Sequence, residues 1–166
     1  MKVILLDIDG VLNTGDTTYT IPGTNILMDV HRLMYVKRIM EATSAKIVSV
    51  SSNIGRIDSV RSEIGQLILD FFKEHGTEIC DSIPRVHRKR QLDIDEYLEN
   101  HDIESFVIID DDVYQYEEKM RPYIIKTSNI PWDQMVKSMD DYEGLKEEQI
   151  EEAIQILNRN EKVLRR

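Results

Sequence analysis

The residues best equipped for chemistry stand in the opening run Val3-Ile4-Leu5-Leu6-Asp7-Ile8-Asp9-Gly10-Val11-Leu12-Asn13. Two carboxylates at i and i+2 on an extended segment project the same way, and Gly10 permits a sharp departure of the chain after them. A carboxylate so placed can attack phosphorus and form an aspartyl-phosphate, which splits ester hydrolysis into two easier steps. Asp7 is the candidate nucleophile. Asp9 is the candidate general acid and base, protonating the leaving oxygen and later deprotonating water. Crowded carboxylates need a counter-ion, and Mg²⁺ favours a few carboxylate oxygens with water and phosphate. A second acidic group, Asp110-Asp111-Asp112, follows the apolar run Phe106-Val107-Ile108-Ile109. Asp110 and Asp111 therefore join Asp7 and Asp9 as candidate metal ligands.

Phosphoryl transfer also needs donors for the equatorial oxygens, because it is mainly positioning and charge neutralisation. Ser51 or Ser52 offers a hydroxyl, and the helix start expected after them offers backbone N–H groups. The cation comes from Lys89 or Arg90. Helical register with Ile94, Tyr97 and Leu98 favours Arg90, whereas side-chain type favours Lys89. Taken singly these residues are ordinary: Asp-x-Asp-Gly is a common turn, Ser51 and Ser52 read as a helix cap, and Lys89 and Arg90 as a solvated basic turn. Their weight comes from standing together at the ends of apolar runs. Rival chemistries fit poorly. Arg85 falls one residue too close to Cys80 for a cysteine phosphatase loop, the four histidines lack zinc-ligand spacing, and the Asp7–Gly10 run lacks the further ligands of an EF-hand.

Positioning these groups requires strands alternating with helices. Residues 2–7 form a continuous apolar run, as in a strand buried on both faces of a parallel sheet. Residues 13–25 read as a loop. A helix over about 27–43 presents Leu27, Val30, Leu33, Met34 and Met40, and Lys46–Val50 is the second strand. A further helix carries Ile57, Val60, Ile64, Leu67, Ile68 and Phe71, with Gly76 near its stop. Glu78–Cys80 is a short strand. Residues 91–100 are helical, with Leu92, Ile94, Tyr97 and Leu98 inward. Phe106–Ile109 and Tyr123–Lys126 are strands, and 145–158 is a terminal helix burying Ile150, Ala153, Ile154 and Leu157. Trp132 is expected to pack under that helix. The pattern predicts an α/β fold, a doubly wound Rossmann-like three-layer sandwich with a mainly parallel sheet. Such sheets place their sites beyond the carboxyl ends of the strands, so Asp7, Ser51 and Asp110 should converge. One domain over 1–158 is expected, followed by a charged tail at 159–166.

The motif order resembles that of haloacid dehalogenase-like (HAD) phosphatases: Asp7-x-Asp9-Gly10-Val11-Leu12-Asn13, strand-terminal Ser51, a basic residue at 89 or 90, then Ile108-Ile109-Asp110-Asp111. It is most similar to small HAD domains grouped with RNA-repair ("Swiss Army Knife") proteins, which share Phe106–Asp112 and Gly144-Leu145 before the last helix. The resemblance implies Asp7 as nucleophile, Asp9 as acid/base, and Mg²⁺ held by Asp7, the Asp9 backbone carbonyl, and Asp110 or Asp111. Many relatives continue the second motif as Ser-Ser-Trp-Arg, whereas this chain has Ser51-Ser52-Asn53-Ile54-Gly55-Arg56. Arg56 is placed to arrive one turn later. The spacings leave no room for a large cap domain, which by analogy implies an open site serving a macromolecule, or a small substrate closed over by a partner. The reading is thus a Mg²⁺-dependent phosphomonoester hydrolase. A nucleotide or nucleic-acid-end phosphatase is the narrower alternative, and a non-catalytic phosphate- and metal-binding regulatory domain is the alternative of another class.

Composition frames these expectations. The 166 residues are 41% hydrophobic and carry a net charge of −10 from 31 acidic and 21 basic residues. That balance opposes non-specific nucleic-acid binding, with one basic exception at Arg85-Val86-His87-Arg88-Lys89-Arg90. No apolar run approaches the ~18 residues needed to span a bilayer, so no membrane partner is expected. The single cysteine, Cys80, makes a cytoplasmic setting the default expectation. The expected partner is a phosphorylated substrate, either a small molecule or a nucleic-acid end.

Overall fold

A computed structural model describes residues 1–52, 54 and 63–159. Five strands make one all-parallel sheet: β1 (Lys2–Leu6), β2 (Lys46–Ser49), β3 (Ile79–Ser82), β4 (Ser105–Asp110) and β5 (Ile124–Lys126), in the order β3-β2-β1-β4-β5. The helices are α1 (Val30–Thr43), α2 (Glu63–Glu74), α3 (Arg90–Asn100) and α4 (Glu148–Leu157), with 3₁₀ turns at Glu118–Tyr123 and Met139–Asp141. No cap domain is inserted among the described residues. Among the described residues, no helix is long and apolar enough to cross a membrane.

Alternation along β1 builds the layers. Ile4 and Leu6 join a core with Leu33, Val36 and Ile39 of α1, Ile68 and Phe72 of α2, and Ala153 and Leu157 of α4. Val3 and Leu5 face the opposite core with Ile94 of α3, Met120 and Tyr123. Val3 to Leu6 are completely or almost completely buried, which stabilises by about 1.5–3 kcal/mol per side chain. That burial fixes β1 in the middle of the sheet and so sets the level at which Asp7 emerges.

The chain runs outward from β1 through β2 to β3, then returns across the sheet to β4. The reversal puts a topological switch point between β1 and β4, where open α/β sheets bind ligands. Leu6 lies opposite both Ser49 and Ile109. The Asp7 N–H donates to Ile109 O at 3.1 Å and the Val50 N–H to Leu6 O at 3.0 Å. Three strand ends therefore deliver Asp7, Ser51 and Asp110 to one edge.

Some expected elements differ. The first helix starts at Val30 rather than 27, because Leu27 pairs with Thr20 in an isolated bridge and its carbonyl accepts from Asn13. Ile64 and Leu92, expected inside, are each 46% exposed. In α4 Ile156 is buried where Ile154 was expected, with Ile154 only partly covered. Trp132 packs on the α3 side of the sheet, beneath Arg121 at 5.2 Å, and not under α4. Ile57, Val60 and Arg56, and the tail beyond Arg159, lie outside the described residues.

Candidate active site

Asp7 leaves β1 buried. Its Oδ1 accepts the Ile8 N–H at 2.9 Å, and its Oδ2 accepts from Arg90 Nη1 at 3.3 Å. The same Nη1 donates to Asp110 Oδ2 at 2.7 Å, and the Tyr116 hydroxyl donates to that oxygen at 2.9 Å. Asp110 is wholly buried and Asp111 nearly so. One carboxylate oxygen from each of Asp7, Asp110 and Asp111 lies within 4.8 Å of the others.

The turn after Asp7 is held by its own side chains. Asn13 Oδ1 accepts the Gly10 N–H at 2.8 Å, while its Nδ2 donates to Asp9 Oδ1 at 3.2 Å. Asn13 thereby ties the exposed Asp9 to the rim. Gly10 sits at φ +75°, and a Cβ there would stand 2.5 Å from Asp111 Cγ and Oδ2. Thr127 Oγ1 donates to Gly10 O, and Ser128 Oγ to Asp111 O. The two residues that follow β5 thus clamp both acidic turns.

Of the other anticipated residues, Ser51 is buried, Ser52 is exposed, and both line the cavity with Asp7 and Asp9. Arg90 opens α3 and reaches the carboxylates. Lys89, one residue earlier, is exposed and lines a different cavity. The backbone at Lys89 is extended (φ −108°, ψ 131°) before the helix begins, so consecutive side chains leave in different directions. Asp9 likewise contributes no carboxylate to the three-oxygen cluster. Asp112 lines the cavity, its N–H donates to Asp110 Oδ1, and its own Oδ1 is buried with no partner.

Residues not anticipated at this site complete the wall. The cavity, about 330 Å³, is also lined by Arg85, Gln115, Tyr116, Val136 and Tyr142. Gln115 Oε1 accepts from Arg85 Nη2 at 2.9 Å and from the Arg90 N–H at 3.4 Å, which couples the basic loop to the acidic turn. Nothing in the spacing of Tyr116 from Asp110 announces its role. Asn13 stood in the opening motif, but its capping function is visible only in the folded turn.

Electrostatics define what this pocket lacks. Burial, and then the Asp110 carboxylate, push Asp7 up to about 7, against the opposing pull of Arg90 and the Ile8 amide. Burial and the carboxylates of Asp110 and Asp7 push Asp111 up to about 9. Burial, with Asp111, Asp9 and Asp7 behind it, raises the Tyr142 hydroxyl to about 12. Burial opposes the Arg90 charge, yet Asp110 and Asp7 outweigh it and hold the guanidinium protonated. Among the described residues, four lining carboxylates, Asp7, Asp9, Asp111 and Asp112, face two lining guanidiniums, Arg85 and Arg90. The donor set, all carboxylate oxygen, and the shortfall of positive charge both fit a hard divalent cation.

Residues 3–130 match the family described as the HAD domain in Swiss Army Knife RNA repair proteins. The chain belongs to this family. No curated protein and no solved structure matches the chain. Membership gives this HAD domain a hydrolase character of the phosphatase type, in agreement with the resemblance read from its motifs. The matched residues include every carboxylate of the cluster and Arg90.

Proposed function

We propose that this HAD domain is a Mg²⁺-dependent phosphomonoester hydrolase working through an aspartyl-phosphate on Asp7. One observation carries the reading: three buried carboxylates from two adjacent strand ends meet with Arg90 donating to two of them. Asp7, Asp110 or Asp111, and the Asp9 carbonyl would hold the ion, which neutralises charge on the phosphoryl oxygens and lowers the ionisation cost of the carboxylates.

The chain's own groups do the rest. An Asp7 carboxylate oxygen attacks phosphorus, the ester P–O bond breaks, and Asp9 gives its proton to the departing oxygen. Water then attacks the phosphorus of the aspartyl-phosphate, Asp9 takes the water's proton, and phosphate leaves with Asp7 restored. Arg90 donates to both Asp7 and Asp110 and holds them in place. Asn13 orients Asp9, and Tyr116 fixes Asp110. Ser51 offers its hydroxyl to the phosphoryl oxygens.

The family's occurrence in RNA repair proteins makes a phosphorylated RNA end one candidate substrate. The reading is tested by turnover of a simple aryl phosphate with and without Mg²⁺. Asp7→Asn should abolish turnover while the protein stays folded. Mg²⁺-dependent binding of phosphate esters with no turnover on a broad panel would instead identify a non-catalytic binding domain.

A further inference from the structure

The basic stretch does more than supply Arg90. Arg88 and Lys89 are exposed and line a second cavity of about 540 Å³ with Tyr114, Gln115, Tyr116 and Glu117. Gln115 and Tyr116 line the Asp7 cavity as well, so the two cavities share a wall. In a chain with ten more acidic than basic residues, excess carboxylate is available to pair with any exposed cation. Among the described residues, however, no carboxylate lies within ion-pair distance of Arg85, Arg88 or Lys89, and Glu117 is engaged by Lys119 at 3.4 Å.

The loop carrying these cations is held from within. Asp93 Oδ1 accepts the N–H groups of Val86 at 3.2 Å and His87 at 2.9 Å, and the Arg85 guanidinium donates to the carbonyls of His87 and Arg88. The buried Asp93 carboxylate and the Arg85 guanidinium fix the loop through its backbone, which leaves the Arg88 and Lys89 side chains for an external anion. Tyr114 adds an aromatic side chain, 49% exposed, at the same cavity.

We propose that Arg88, Lys89 and Tyr114 form a second anion subsite, contiguous with the Asp7 cleft, that binds a further phosphate of the substrate and the ring beside it. The inference rests on the phosphatase reading of the Asp7 cleft and narrows its substrate to esters bearing a second phosphate near the scissile one. A free nucleoside bisphosphate and a phosphorylated nucleic-acid end share that chemistry.

The test compares kcat/KM for p-nitrophenyl phosphate, nucleoside monophosphates, a nucleoside 3′,5′-bisphosphate and a terminally phosphorylated trinucleotide, in wild type and in the Arg88→Ala/Lys89→Ala variant. In wild type a second phosphate should raise kcat/KM by about tenfold or more, chiefly through KM, because charged hydrogen bonds are gained. Added salt should shrink the gain. The double variant should lose it, so that the ratio of bisphosphate to monophosphate kcat/KM falls toward one. A trinucleotide preferred over the bisphosphate identifies a nucleic-acid end, and the reverse preference a small molecule. A ratio near one in wild type, or unchanged in the variant, overturns the subsite. If no ester turns over at all, the phosphatase reading fails separately. Calorimetric binding of the bisphosphate to wild type and the double variant then decides the subsite, with about tenfold weaker binding expected in the variant and equal binding contradicting it.

Discussion

Arg90 offers the sharpest perturbation, because its neighbour Lys89 provides a matched control one residue away. Replacing Arg90 with Met keeps much of the aliphatic packing but removes the 2.7 Å bond to Asp110 and the 3.3 Å bond to Asp7. Stripping one partner from a buried ion pair destabilises by ~3–5 kcal/mol. Arg90 keeps 19% of its side-chain surface exposed, so solvent screening lowers the expectation to about 2–4 kcal/mol. For a chain of this length that corresponds to a drop in Tm of roughly 5–15 °C. Lys89→Met should stay within about 0.5 kcal/mol, as an exposed residue without a carboxylate partner. Thermal and urea unfolding of both variants in chelator gives the comparison. Saturating Mg²⁺ should recover part of the Arg90→Met loss, because a cation among the carboxylates replaces the missing counter-charge. Equal stability of the two variants, or loss of aryl phosphate turnover in Lys89→Met with Arg90→Met active, would refute the assignment of Arg90 to the site.

Other variants probe the turn, the rim and the charge balance. Gly10→Ala forces a side chain into φ +75° and onto Asp111. It should destabilise by about 2–4 kcal/mol and weaken Mg²⁺ affinity, both measurable by unfolding titrations. Asn13→Ala should lower kcat more for alkyl than for aryl phosphates, since it loosens Asp9, whose proton matters most for a poor leaving group. Tyr116→Phe removes the hydrogen bond to Asp110 and should cost about 1–3 kcal/mol in chelator. The pH dependence has a definite sign. Asp7 and Asp111 have folded pKa values of about 7 and 9, raised from 3.8, so the folded state holds protons that the unfolded chain has released. Their contribution to stability is full below pH ~4 and lost as pH rises through about 7 and then 9. Chelated protein should therefore lose stability over that window, and Mg²⁺ should flatten the profile. A chelated profile rising with pH would contradict the burial argument.

The sheet was legible because parallel strands buried on both faces read as unbroken apolar runs, and β1 and β4 are such runs. Their ends announced Asp7 and Asp110. What escaped the sequence is polar and local. Leu92 fits an apolar helical face, yet α3 buries Gln91 and Asp93 in its first turn. The reason lies in the loops: Gln91 Oε1 accepts the Glu117 N–H, and Asp93 Oδ1 accepts the Val86 and His87 N–H groups. Unpaired loop amides thus override periodicity at the helix start. The choice between Lys89 and Arg90 stayed open for the same reason, since it depends on where the extended backbone turns helical. Tyr116 gave no signal, because its contact with Asp110 depends on how the 111–116 loop folds back over the strand end.

The claim that Asp7 is the nucleophile is tested most directly by trapping its covalent intermediate. Acid-quenched turnover with Mg²⁺ and an aryl phosphate, followed by peptide mass spectrometry, should find one added phosphoryl group on Asp7. Asp7→Asn protein should show neither the adduct nor turnover. A phosphoryl group on another residue, or turnover that survives in Asp7→Asn, would contradict the account.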